Sequence, residues 1–301
     1  MQPVGTWLKE SFEYVRKNWL MLLKVYGWGM LMYIGSSLFL MIIVAIVVFV
    51  GGLFGLTLSV GTGFVVFILG LGGMIYLFAM VGKMLYIQIL AVMAPVANIR
   101  QSWRTITWKE GLSLYLVILL SVFAGYGGMI LLIIPGIVVF TWVSMAIFVK
   151  VEQKIGGLRA LMLSRDYVRN YFWPVLGRFL LMIIISSSWG FLVAFGFVKL
   201  NELGGVFAVV GWVLYMASLF VVMSGIYRLM YTLYLNLVRI KGRLELVTTP
   251  WRNVRWGLLV FSPFVLIIVT TIVMIVINPA KQIQKAKEVQ QQQQIRLDNY
   301  K

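Results

Sequence analysis

The sequence predicts an all-α fold: a polytopic transmembrane helical bundle of about seven spans, edged by interfacial amphipathic helices. Three observations carry this. Of 301 residues, 61% are hydrophobic and 12% charged, against about 45–50% and about 25% in an ordinary soluble domain. The apolar residues come in runs long enough to cross a bilayer core of about 30 Å, which takes about 20 residues of helix. Lys and Arg, 26 against nine Asp and Glu, gather between alternate runs, the pattern expected of loops on the cytoplasmic side.

Residues 1–19 read as a helix that lies on the membrane or packs on the bundle. Trp7, Phe12, Val15 and Trp19 recur there at helical spacing, with charges between them. This opening is not expected to be a cleavable signal, because Lys9, Glu10, Glu13, Arg16 and Lys17 interrupt it and no small-residue cleavage site comes after a short apolar core. Gly27 to Val50 supplies the first span. An uncharged glycine-rich turn, Gly51 to Gly63, leads to the second, Phe64 to Met93, which is long enough to tilt or to leave the membrane at its end. A basic, aromatic stretch comes next, Asn98 to Glu110. The uncharged run Gly111 to Phe148 would be roughly 57 Å as one helix, so it must fold back. Gly125, Gly127 and Gly128 are the expected turn between spans three and four. Pro135-Gly136 then sits inside the fourth span and should kink or interrupt it.

Residues 150–178 are basic and expected on the cytoplasmic side. Span five is Phe179 to Val198, span six Gly205 to Tyr227, and a further basic stretch runs from Arg228 to Arg255. Residues 1–243 thus form a membrane domain of six spans with an amphipathic N-terminal helix. Residues 244–301 add the seventh span, 257–277, and a polar tail rich in Lys and Gln. With the N-terminus inside, every Lys and Arg except Lys199 and those of the tail falls on an inner segment. Parity places the tail outside. No repeat of 20–50 residues is visible.

Composition also excludes. Without Cys or His, the chain cannot form disulfides, a zinc site of the usual ligands, haem ligation by those residues, or a nucleophile activated by histidine. The Gly51 to Gly63 stretch lacks the Gly-Lys-Ser/Thr ending that cradles phosphate. No cofactor is expected. The net charge of +17 points to anionic lipid at the inner leaflet. Nucleic acid is not an expected partner, since no aromatic-and-basic recognition module accompanies the charge.

Two groups of residues merit a chemical reading. Lys83 is an ionisable residue in a span with no acid placed to pair with it. It reads as a snorkelling residue near the inner end of a long helix, the alternative being a functional charge. Glu152, Arg165 and Asp166 form a polar group that reads as part of a solvated interfacial helix, because nothing brings the two carboxylates together for acid-base work. GxxxG-like spacings, Gly51 with Gly55 and Ala208 near Gly211, are candidates for close helix packing.

Residues 134–180 contain Ile134-Pro135-Gly136, a hydrophobic helix, Glu152, Ala160-Leu161, Ser164 and Trp173. This pattern, with Tyr234-Leu235-Asn236-Leu237 and Lys241-Gly242 further on, resembles the multi-pass family typified by the membrane domain of bacterial glycerophosphodiester phosphodiesterases. The resemblance spans roughly residues 1–243 and departs at Asn170, where a Gly is common. It implies a fold and a membrane location. It does not imply hydrolysis, because the catalytic domain with its histidines is absent. The stretch Ile275 to Lys287 is similar to the segment after the hydrophobic helix of some bacterial pilin-like proteins, without their processing site. The expected function is that of a non-enzymatic protein of the bacterial inner membrane that organises a protein partner or contacts lipid. The alternative is a lipid or small-solute transporter with Lys83 and the Pro135-Gly136 break along its path. A third reading is a subunit whose tail joins an envelope assembly.

Overall fold

The computed structural model describes residues 1–53, 60–96, 98–131, 133–202, 204–245, 249, 251–263, 265–266 and 268–273. Among these residues nine α-helices run in order: α1 (Val4–Leu53), α2 (Val60–Met93), α3 (Ile99–Thr105), α4 (Trp108–Leu131), α5 (Ile133–Val143), α6 (Ala146–Gln153), α7 (Leu158–Val168), α8 (Phe172–Glu202) and α9 (Gly205–Lys241). Helix resumes over 251–263 and again within 265–273, and no strand occurs among the described residues. Six stretches of the described residues are long and apolar enough to cross a membrane: Val4–Ile43, Gly70–Met93, Trp108–Met129, Ile133–Gln153, Leu158–Glu202 and Gly205–Lys241. The chain is a polytopic helical membrane protein. Only 257–263, 265–266 and 268–273 of the expected seventh span are described, and they are helical. The glycine-rich turn around Gly55 and the tail lie outside the described residues.

The helices are longer than a bilayer requires. At about 1.5 Å per residue, the 50 residues of α1 extend about 75 Å, so much of α1 projects beyond the hydrocarbon. The surplus builds the core. Trp7, Val15, Leu22, Tyr86, Ile87, Val143, Met145, Phe148, Leu161, Tyr167, Leu233 and Tyr234 are all buried in one cluster, drawn from the same end of α1, α2, α5–α7 and α9. The far halves are the reverse. Phe191, Leu192, Phe195, Val206, Phe207 and Val209, on the far parts of α8 and α9, are exposed. In a membrane that surface meets lipid tails.

One expectation is decided and two are corrected. Of the two readings of residues 1–19, packing on the bundle is the one found: they open a continuous α1, with Trp7 and Val15 buried while Phe12 and Trp19 face outward. Trp7 Nε1 donates to Leu229 O at 2.9 Å and the Ser11 hydroxyl meets that of Thr232 at 3.0 Å, fastening α1 to α9. The glycines Gly125, Gly127 and Gly128 do not form a turn, because α4 runs through them to Leu131. They are points of contact instead. A Cβ on Gly128 would lie 2.9 Å from the Gly136 Cα, so α4 and α5 touch backbone to backbone there. Finally, Pro135-Gly136 does not break the fourth span. Pro135 sits in the first turn of α5, where its missing N–H has no helical partner to lose.

A second close crossing joins α2 to α4 at the basic end. A Cβ on Gly82 would overlap the Gly111 carbonyl, and one on Gly111 would stand 2.7 Å from Ala79 O. Of the small-residue pairs expected to bring helices together, Gly211 packs on Leu200 within the α8–α9 hairpin.

The end of α2 explains why Arg228 lies inside α9. The last four carbonyls of a helix lack intrahelical partners. Here Leu90 O accepts from Ala94 N at 2.9 Å, Ala91 O from the Tyr14 hydroxyl at 2.6 Å, and Val92 O and Met93 O from Arg228 Nη1 at 2.6 and 3.3 Å. The guanidinium also lies over the Tyr14 ring, 3.7 Å from its centroid. Arg228 therefore caps α2 from another helix. The N-terminus is held in a similar way, with Arg178 donating to Gln2 O and Asn236 Nδ2 to Gln2 Oε1.

Candidate functional site

The fourth span is broken at Ser144–Met145, between α5 and α6. The break exposes backbone groups in a place without water, where an unpaired one costs about 1–3 kcal/mol. Ser164 on α7 supplies the partners. Its hydroxyl accepts from Met145 N at 3.1 Å and donates to Trp142 O at 2.6 Å. Ser164 is fully buried, and its neighbours Leu161, Leu163, Tyr167 and Val168 are buried with it. The expectation that Arg165 and Asp166 belong to a solvated interfacial helix is therefore corrected for the other face of α7, which is apolar and central to the core.

The outward face of α7 carries the charges. Arg165 lies over the Trp142 ring, 4.8 Å from its centroid. Asp166 accepts from Arg252 Nη2 at 2.5 Å, and Arg252 also donates to Met162 O at 3.1 Å. Lys241 Nζ reaches the Asp166 carbonyl at 2.6 Å. These contacts dock the segment after α9 onto α7. The result is an open cleft of about 440 Å³ walled by Trp142, Arg165, Trp251, Arg252, Arg255 and Trp256. Three guanidiniums and three indoles thus share one surface.

Two other clefts lie at the same end. One, of about 700 Å³, is lined by Lys24, Trp28 and Arg100. The other, of about 430 Å³, is lined by Arg169, Lys241, Glu245 and the Asp166 that Arg252 engages.

The structure sets Ser164 in the helix break, Arg165 over Trp142 and Asp166 on Arg252, and leaves the other expected residues apart. Lys83 is 6% exposed and sits between two indoles, with Nζ 5.1 Å from the Trp103 ring centroid and 4.9 Å from that of Trp108. No carboxylate pairs with it among the described residues. Pro135 and Gly136 start α5 at the far end. Glu152 stands on α6 with Arg243 at 3.9 Å, so Glu152 and Asp166 meet different arginines. Trp173, at 76% exposed, stacks edge-on against Phe172 and points away from the core. Beside Glu152, Gln153 Nε2 donates to the Tyr167 hydroxyl at 2.9 Å and to that of Tyr234 at 3.3 Å, and Leu244 N also donates to Tyr167. Lys154, just past α6, donates to Glu110 at 3.1 Å, which holds its ammonium above the usual lysine range.

Trp142, Trp251, Arg252, Arg255 and Trp256 were not singled out by sequence. One signal was available: Arg252, Arg255, Trp256 and Leu259 fall at i, i+3, i+4 and i+7 on one helix face. Trp142 carried none, being one aromatic in a uniformly apolar span. No protein-family model matches the chain, and no match was found among curated proteins or solved structures.

Proposed function

We propose that the chain is a non-enzymatic protein of the bacterial inner membrane that contacts anionic lipid through its basic end, with the N-terminus in the cytoplasm and the tail outside. The observation that carries this is the gathering of Arg165, Arg252, Arg255, Lys24 and Arg100 with indoles around open clefts at that end. Each Lys or Arg beside an anionic leaflet contributes about 1 kcal/mol, and Trp favours the same interfacial level. The resemblance to the membrane domain of glycerophosphodiester phosphodiesterases belongs to this proposal. It supports the location and carries no chemistry.

The test is recovery of the protein with its surrounding lipid from native membranes, with the lipid classes quantified by mass spectrometry. Anionic lipid enriched over the bulk membrane is the expected result. A composition equal to the bulk would refute the reading. A stoichiometric protein in the same preparation would make the chain an organiser of that partner. A reporter fused at Lys301 checks the topology, and its appearance in the cytoplasm would overturn the parity.

Transport of a lipid or small solute is the second reading. The broken fourth span favours it, since discontinuous helices recur in transporters. The closure of that break by Ser164 and the enclosure of Lys83 by two indoles weigh against it.

A further inference from the structure

The cleft between Trp142, α7 and the helix 251–263 gathers more guanidiniums and more indoles than its neighbours, three of each. We propose that it seats the phosphate of one anionic phospholipid headgroup, held by Arg165, Arg252 and Arg255 and flanked by Trp142, Trp251 and Trp256. This rests on the reading that the basic end contacts lipid, and it names the ligand of one site there.

Charge is the first argument. Among the described residues, three guanidiniums meet a single carboxylate, Asp166, which Arg252 engages. Two formal positive charges remain for an anion. A phosphomonoester carries about −1.5 to −2 near neutral pH, so a headgroup of the phosphatidic acid kind balances the site. With Asp166 assigned to Arg252, the cleft of Arg169, Lys241 and Glu245 keeps a single positive charge, and the Lys24 cleft offers two cations but only one guanidinium and one indole.

Pre-organisation is the second. The guanidinium fork matches phosphate oxygens in pairs, and two of the three forks are placed before any ligand arrives. Arg165 is stacked on Trp142, whose carbonyl is fixed by Ser164. Arg252 is fixed by Met162 O and Asp166. Arg255 is exposed and is the one left to close on a ligand.

The third argument is the wall. Leu259 lines the cleft one turn further along the same helix, and the exposed Leu258 continues that apolar surface. A free phosphate has no use for such a wall. The glycerol and acyl chains of a lipid do.

The test uses the full chain in detergent micelles, with dioctanoyl phosphatidic acid, dioctanoyl phosphatidylcholine and inorganic phosphate as probes and native mass spectrometry as the readout. One dioctanoyl phosphatidic acid per chain is expected, undisplaced by millimolar phosphate. Arg255→Gln should weaken it about tenfold with an unchanged melting temperature, while Lys24→Gln leaves it unaltered. Phosphatidylcholine binding as tightly, or Arg255→Gln binding as wild type does, overturns the site. Displacement by inorganic phosphate overturns the lipid as occupant in favour of a soluble phosphoryl compound. If anionic lipid is still enriched around the protein from native membranes, the broader reading stands while the site falls. Without that enrichment both fall.

Discussion

Replacing Ser164 with Ala isolates the cost of the broken fourth span. The substitution removes one oxygen, leaves the core volume nearly intact and deprives two backbone groups, the Met145 N–H and the Trp142 carbonyl, of their partner. Each buried group left unpaired costs about 1–3 kcal/mol. Interhelical hydrogen bonds in membranes average only about 0.6 kcal/mol, because the unfolded chain finds other partners. Backbone at a helix break, enclosed by a fully buried serine, has no such substitute at hand. The buried-group figure therefore applies to each of the two, and the loss should be about 2–6 kcal/mol. Two assays read it. Reversible unfolding in mixed micelles gives the free energy directly, with Ser186→Ala as control. The Ser186 hydroxyl bonds only within its own helix, at Ile183 O on an exposed face, so that variant should change stability by less than about 0.5 kcal/mol. Amide hydrogen exchange across residues 142–149 gives the local effect. Opening made easier by at least about 2 kcal/mol should raise exchange at Met145 by roughly 30-fold or more. A Ser164→Ala protein as stable as wild type, with Met145 exchange unchanged, would refute the claim that this hydroxyl holds the break together.

Arg228→Leu should destabilise by about 3–5 kcal/mol, since it leaves the carbonyls of Val92 and Met93 unpaired and removes the charge over Tyr14. Thermal unfolding in detergent checks this, and a melting temperature within a degree of wild type would count against Arg228 as the cap of α2. Gly82→Leu should prevent α2 and α4 from meeting and cost more than the about 1–3 kcal/mol of ordinary overpacking. Gly70→Ala, with open space around its Cα, should be neutral or slightly stabilising, and folded yield together with melting temperature distinguishes the two. Lys83→Met should cost no more than about 1–2 kcal/mol, the worth of a cation held by aromatic rings. A Lys83→Met protein that folds normally and loses all lipid or partner binding would show that the charge has work beyond packing.

The spans were legible because an apolar run of about 20 residues has few other uses, and the basic end because Lys and Arg are sorted by side. What misled was glycine. Gly125, Gly127 and Gly128 look like a turn by the rules of soluble proteins, yet lipid permits glycine in helices and uses it for close approach, as at Gly128 and Gly136. The true break, at Ser144–Met145, contains neither Gly nor Pro, so the local sequence carries no warning. It is imposed by α7, whose serine completes it. The role of α7 was hidden by Arg159, Arg165, Asp166 and Arg169, although Leu161, Ser164 and Val168 recur three and four apart along its inner face. Ser164 was found as a letter in a pattern, and Arg165 and Asp166 as charges in a polar group. Their partners Trp142, Arg252 and Arg255 were not, because partners distant in the chain meet only in three dimensions.

The unequal distribution of packing along the bundle has a mechanical consequence. The basic end is locked by interlaced side chains and caps, whereas the far halves of α8 and α9 touch little but each other and the lipid. When bilayer thickness or lateral pressure changes, the free ends yield by changing their tilt, as spans do under mismatch. The anchored base keeps its shape. The molecule is stiff where it is charged and compliant where it is oily, so its clefts stay shielded from the stresses of the membrane in which it sits.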